Sequence, residues 1–236
     1  MKTFKVLSAL LSYPSEALIA AAPEFSAVLD AEKLIPRRQR VALGALIDEI
    51  AQGEVYDLQE RYGLLFDRSR SLSLHLFEHV HGESRDRGQA MVDLRAMYDR
   101  AGLTIAANEL PDYLPLFLEF LSTQAVASAY ELLGQPAHIL AAIAERLARR
   151  QSSYQAIFDA LVAMSADAPQ REAVAELLKG PDPDPMDLRA LDAAWEEEEV
   201  RFGPGSQGQG ACGHEGLIAK LRHARRAVGA APSPPQ

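Results

Sequence analysis

Apolar residues recur along this chain with the spacing of amphipathic helices. Phe4, Leu7, Leu10 and Leu11 share one face before Tyr13 and Pro14 stop the turn. Pro36 is placed to open a helix in which Val41, Leu43, Leu46, Ile47 and Ile50 recur, closing near Gly53. Val55, Leu58, Tyr62, Leu65 and Phe66 form the next stripe. Asp86 or Arg87 begins another helix, with Met91, Leu94, Met97 and Tyr98 facing inward and Gly102 at its end. Residues 113–133 are apolar nearly all round, through Leu114, Leu116, Phe117, Leu118, Phe120, Leu121 and Val126, which predicts one central helix. Gly134 and Pro136 separate it from a helix over 139–150, and shorter helical pieces follow over 154–164 and 173–179. No segment alternates as a strand does, and no repeat of fixed period is present. The pattern predicts an all-α fold, a single globular helical domain over residues 1–202.

Composition agrees. Alanine and leucine dominate, β-branched residues are sparse, and 236 residues with 48% apolar content can bury a proper core. The lone Cys212 excludes an internal disulfide and fits a reducing cytoplasm. The opening run from Met1 to Leu7 has a signal-like look. Ser8, Ser12, Tyr13 and Pro14 break it, and no stretch approaches the ~20 apolar residues of a membrane span. The expectation is a cytoplasmic protein with no stable membrane insertion.

Order is expected to stop at the stiff connector Gly180-Pro181-Asp182-Pro183-Asp184-Pro185, and again beyond Phe202. Residues 203–236 read as a Gly/Pro-rich disordered tail holding at most a short basic helix over 217–228. Charge divides along the same line. The net charge is −9, but residues 1–200 carry 19 basic against 32 acidic groups, while the remainder carries five against one. An acidic body repels phosphate backbones and suits a basic peptide, so nucleic acid is not expected as a partner.

Candidate chemistry concentrates in residues 74–89, where His75, Glu78, His79, His81, Glu83, Arg85, Asp86 and Arg87 crowd together. His75-Leu76-Phe77-Glu78-His79 matches the H-x-x-E-H pattern of inverted zinc proteases. On a helix, both imidazoles would face one metal beside Glu78. A third ligand is needed, and Glu109, Glu119 and Glu131 are equally placed to supply it. A zinc-dependent hydrolase therefore stands as an alternative, and the preferred reading has no metal and no catalytic residue. Gly203-Pro204-Gly205-Ser206-Gln207-Gly208 matches G-x-G-x-x-G without the strand and helix a dinucleotide site needs. Cys212 and His214 lack a second ligand pair, and Glu196–Glu199 reads as a solvated run beside Trp195, a core or edge anchor. Tyr62–Phe66 reads as core packing, and Glu109–Tyr113 as a proline-opened helix start capped by Asp112.

Taken in order, three blocks carry a resemblance: Tyr62-Gly63-Leu64-Leu65-Phe66, the segment His75–Gln89, and Glu109-Leu110-Pro111-Asp112. They resemble the TorD/DmsD/NarJ family of redox-enzyme maturation chaperones. The opening Lys5–Pro14, the run Ser73–Gly82 and the run Leu110–Leu121 look like its NarJ branch, and the likeness spans about residues 3–200. The resemblance implies an all-helical cytoplasmic chaperone, not an enzyme, acting as a monomer or weak dimer. Its client would be the catalytic subunit of respiratory nitrate reductase, bound through an N-terminal leader-like peptide. It would keep that apoenzyme ready for bis-molybdopterin guanine dinucleotide, hold no cofactor itself, and leave before the final complex forms.

A peptide of that kind folds into an amphipathic helix in a groove. Tyr62, Leu65, Phe66, Phe77, Tyr113 and Phe117 would line the groove, and Glu78, Asp86, Asp93, Glu109 and Asp112 would meet its basic residues. Arg85 and Arg87 would pair internally with carboxylates. His75, His79 and His81 titrate near neutrality, so affinity would weaken as pH falls toward ~6. One departure matters: many relatives carry histidine where this chain has Tyr113, and roles proposed for that histidine do not transfer.

Overall fold

A computed structural model of the chain describes residues 1–81, 85–105, 109–184, 186, 187 and 189, with backbone alone at His81, Arg85 and Asp86. The tail beyond 202, with the basic stretch 217–228, Cys212, His214 and the glycine motif, lies outside the described residues, as do Trp195 and the glutamate run. Within them the fold is all-α, and the lone strand-like feature is an isolated antiparallel bridge between His75 and Tyr113. No described helix is long and apolar enough to cross a membrane.

Helix α1 (Lys2–Leu10) buries the stripe predicted for it: Phe4, Leu7 and Leu10 are fully enclosed, and Leu11 follows. Its first turn is capped from a distance. The Glu32 carboxylate accepts from the backbone N–H groups of Lys2 and Thr3, both at 2.8 Å, and from the Thr3 hydroxyl at 2.8 Å. Glu32 closes α2 (Glu16–Glu32), a helix the apolar pattern did not announce. Alanine is its commonest residue, Pro23 lies inside it, and only Leu18, Ala22 and Leu29 are buried. What starts α2 is Ser15, whose hydroxyl accepts from Leu18 N–H at 3.2 Å.

Pro36 opens α3 (Arg37–Gln52) as expected, and Leu43, Leu46, Ile47 and Ile50 form its core face, but Val41 points to solvent. The chain then turns at Gly53, where a β-carbon would sit 2.9 Å from Leu58 Cδ2 and 3.0 Å from the Glu49 carbonyl, so only glycine fits. Helix α4 (Val55–Tyr62) runs on into a π-helical turn, Gly63–Asp67, that swings Leu65 and Phe66 inward, and a 3₁₀ turn follows at Arg70–Leu72. The one-turn helix α5 (Glu78–His81) precedes α6 (Arg85–Arg100), which ends before Gly102 at φ +75°.

The single central helix expected over 113–133 is two: α7 (Leu114–Ser122) and α8 (Val126–Gly134). The break has a local cause. The hydroxyls of Ser122 and Thr123 turn back on the carbonyls of Glu119 and Phe120 at 2.6 and 2.7 Å, satisfying groups the next turn would have used. Then come α9 (Ala137–Arg149), α10 (Gln155–Met164) and α11 (Arg171–Leu177).

Packing groups α1 with α2 and α7, α2 with α3, and α10 with α3, α8 and α9. Ser8 on α1 donates to the Pro115 carbonyl at 2.8 Å, which fixes the start of α7 against the N-terminal layer. The first part of the proline-rich connector packs back on the helical body. Residues 181–184 are described, and Asp182 is held by Arg150 at 2.6 Å and Ser71 at 2.7 Å.

Burial pushes the Glu32 pKa up, but the hydrogen bonds from Lys2 and Thr3 outweigh it and hold the group below the usual carboxylate range. Its contribution is therefore present above the unfolded-state value and lost as pH falls through the lowered one. We expect Glu32→Gln to cost about 1–2 kcal/mol at pH 7 by urea denaturation. The gap between variant and wild type should close toward pH 3.

Candidate functional site

A carboxylate with no access to water organises the region singled out by the sequence. Asp112, in the loop before α7, is 0% exposed. One oxygen accepts from Phe77 N–H at 3.0 Å, and the other lies 3.3 Å from His75 Nδ1. A carboxylate can only accept, so Nδ1 carries the proton of that contact. Backbone bonds reinforce the pair: Leu76 N–H donates to the Asp112 carbonyl at 3.1 Å, and Leu114 N–H to the Leu74 carbonyl at 2.8 Å. Tyr98, fully enclosed on α6, donates to the Pro111 carbonyl at 2.7 Å and so anchors the same loop from below. Asp112 does not cap α7, as the local reading had it. It clamps residues 74–77 to residues 110–114.

The clamp settles where the histidines point. His75 precedes α5 and lies outside any helix, and its Nδ1 turns to Asp112. His79 lies within α5 and donates Nε2–H to the Ser73 carbonyl at 2.8 Å. The two imidazoles therefore do not share one helical face, which removes the premise of the H-x-x-E-H metal site. Among the described residues no group of three or more His, Cys, Asp or Glu is placed to hold a metal ion. The hydrogen bond to Asp112 raises the His75 pKa, with help from the charges of Asp112 and Glu78, against burial and the Arg87 charge. Burial dominates at His79 and pushes its pKa down, against the pull of the Ser73 carbonyl. Arg87 reaches Glu78 at 3.3 Å, the internal pairing expected of it. Side chains of His81, Arg85 and Asp86 fall outside the described residues.

Next to the clamp stands a row of aromatic rings. Tyr13, 54% exposed, packs edge-on against Tyr62 with centroids 5.5 Å apart. Tyr62 tilts onto Phe66 at 4.9 Å, and Phe66 meets Tyr154 at 5.2 Å. The Tyr62 hydroxyl donates to the Leu11 carbonyl at 2.8 Å, leaving its oxygen to face the Tyr113 hydroxyl at 3.5 Å. Tyr113 then tilts against the His75 ring at 5.3 Å. Tyr113 and His75 are half-buried, so Tyr13, Tyr113 and His75 form the accessible edge of this row. Burial pushes the Tyr113 pKa up, and the charges of Glu109 and Asp67 push the same way, while the bond to Tyr62 opposes. Those carboxylates, both exposed, put acid beside the accessible edge.

The residues selected from sequence thus separate. Tyr62, Leu65, Phe66, Phe77 and Phe117 are 3–7% exposed, and Tyr62 and Phe66 stand directly behind the edge. His75, Glu78, Glu109 and Tyr113 reach the surface beside it. Asp112 is internal. Asp93 lies half-buried on α6, where Gln89 donates to it at 3.1 Å in a contact local to that helix. Sequence reasoning missed Tyr13, read as a helix stop, although an aromatic directly before a proline at the end of a buried helix is a signal for an exposed ring. It also missed Asp67, which closes the π-helical turn.

The scaffold thus bonds Asp112, His75 and His79 inward and leaves aromatic rings beside acid at its surface. The chain belongs to the nitrate reductase delta subunit family, whose model matches residues 32–160. It is 42% identical over 225 residues to the nitrate reductase molybdenum cofactor assembly chaperone NarJ of Escherichia coli strain K12, covering 95% of this chain and 92% of that one. The probable chaperone NarW of the same strain is 42% identical, over 86% of this chain and 84% of that one. The probable NarJ of Bacillus subtilis is 30% identical over 73% and 92%. An assembly chaperone has no catalytic role, and the chain is not an enzyme.

Because its folded-state pKa is raised, the His75–Asp112 pair stabilises fully below the unfolded value near 6.5, and that contribution fades as pH rises through the raised value. In an NMR titration the His75 midpoint should lie above 6.5 and fall when Asp112 is changed to alanine. The same change leaves the Phe77 N–H buried without an acceptor and should lower the unfolding free energy by about 2–3 kcal/mol in urea.

Proposed function

We propose that this chain is a dedicated chaperone for the catalytic subunit of respiratory nitrate reductase. It binds the leader-like N-terminal peptide of that subunit and keeps the apoenzyme competent to receive bis-molybdopterin guanine dinucleotide. It works in the cytoplasm as a monomer or weak dimer and is not part of the final complex. The observation that carries this reading is the 42% identity to an assembly chaperone along 95% of the chain.

The geometry supports a division of labour. The peptide folds on binding as an amphipathic helix, and its apolar face meets the accessible edge of Tyr13, Tyr113 and His75. Behind that edge the wall of Tyr62 and Phe66 is preorganised, so few side chains are newly ordered by the ligand. Asp67, Glu78 and Glu109 attract the basic residues of the peptide and act on encounter and register more than on affinity. Asp112 takes no part in contact; it holds the loop that carries Tyr113. A charge on His75 is matched by Asp112, and burial lowers the His79 pKa and so disfavours its charged form. The two therefore add little repulsion toward a basic peptide as pH falls.

Calorimetric titration with a synthetic peptide of the client's N-terminal ~15 residues tests the reading. One-to-one binding is expected. Tyr113→Ala should weaken it about tenfold, since an aromatic anchor is worth at least ~1.4 kcal/mol. Replacing exposed Val41 on α3 with alanine should leave it unchanged. Changing Asp67 and Glu109 together to lysine should slow association and flatten its salt dependence. A wild-type chain that binds no such peptide contradicts the proposal.

A further inference from the structure

Two arginines, one in the last turn of α9 and one capping its C-terminus, join parts of the chain that the peptide site does not use. Arg146 and Arg150 are four residues apart and lie on one helical face. The Arg146 guanidinium, 4% exposed, donates to the Ser71 carbonyl at 2.8 Å and to the Leu177 carbonyl at 2.7 Å. Arg150 donates to Asp182 at 2.6 Å and to the Pro183 carbonyl at 3.1 Å. Ser71 closes the ring: its hydroxyl donates to Asp182 at 2.7 Å and lies 2.9 Å from the Ser69 hydroxyl. The segment 177–184 is thereby strapped over the 3₁₀ turn at Arg70–Leu72.

That turn leads straight into the candidate site. Two residues beyond Ser71, the Ser73 hydroxyl accepts from His75 N–H at 3.1 Å, and the Ser73 carbonyl accepts from His79 at 2.8 Å. A continuous chain of hydrogen bonds and backbone therefore runs from Asp182 through Ser71 and Ser73 to His75 and Asp112. The three serines along it, Ser69, Ser71 and Ser73, are buried. The outer link is not: Arg150 and Asp182 are 16% and 22% exposed, so water can take the place of either partner. Segments that open locally start where bonds can be exchanged for solvent at least cost. Meanwhile Phe77, in the segment so held, is buried.

We propose that the strap, residues 177–184, is a latch: the Arg150–Asp182–Ser71 contact sets how readily residues 69–80 open, and through that opening how much apolar wall a ligand reaches. The second half rests on the peptide-binding reading above; the first does not. Opening would free Ser71, then the Ser73 carbonyl, then the hinge around His75, while the Asp112 loop stays fixed to α6 by Tyr98.

Amide hydrogen exchange of the full chain, without ligand, tests the first half. Asp182→Ala and Ser71→Ala each remove a latch bond while leaving the apolar core untouched. Each should accelerate exchange of the amides in residues 69–80 about tenfold, with no change in α3 and α10, which report global unfolding. Unchanged exchange over 69–80 in both variants overturns the latch. Titrating the same variants with the client peptide tests the second half. Tighter binding by severalfold, with faster association, is expected. Faster exchange with unaltered affinity shows that the strap only stabilises the fold and overturns its control of the site. If wild type and both variants bind no peptide while exchange responds as expected, the latch stands and the peptide reading falls.

Discussion

The region around the candidate site depends on one buried carboxylate. Asp112 is shut off from water, and a charge in that position persists only with partners supplied by the protein. Its partners are Phe77 N–H and His75, so residues 74–77 must come to the loop before α7. Because Ser8 fixes the start of α7 against α1, the same constraint brings the end of α1 alongside. The row from Tyr13 through Tyr62 and Tyr113 to His75 follows from these two attachments. Each of its members comes from a different stretch of the chain, and none would be adjacent without the clamp.

Much of the helical architecture was legible because apolar period and proline position agree. α1, α3, α4, α9 and α10 show a buried face at helical spacing, and Pro36 and Gly53 bound α3 where expected. α2 was not legible: its buried face is only Leu18, Ala22 and Leu29, and its cohesion comes from Ser15 at one end and contact with α1 and α3 along its length. The division between α7 and α8 was hidden because the hydroxyls of Ser122 and Thr123 end the helix inside an apolar run.

The site was legible by composition and misread by geometry. The density of His, Glu and Arg over 74–89 marked a segment that Asp112 clamps, and Glu109–Tyr113 marked the loop that carries Asp112. What a local reading missed was that the two blocks hold each other. Asp112 looked like a cap for the helix it precedes, whereas its acceptors serve residues 35 positions away. His75 and His79 looked like one helical face because spacing says nothing about where a helix starts, and α5 starts after His75. Long-range pairing of a buried charge leaves no trace in sequence spacing.

The arrangement separates two roles that a recognition protein must keep apart. Asp112, His75 and His79 fix the scaffold, and in the proposed function accessible rings with a few carboxylates meet the partner. The central claim is that the partner peptide lies along the edge formed by Tyr13, Tyr113 and His75. Photo-crosslinking tests this most directly, with a benzophenone on the apolar face of the client peptide and the adducts mapped by mass spectrometry. Adducts confined to residues near Tyr13 and to the 109–114 loop are what this account predicts. Adducts on the α3 and α10 surfaces, with none on that edge, would contradict it.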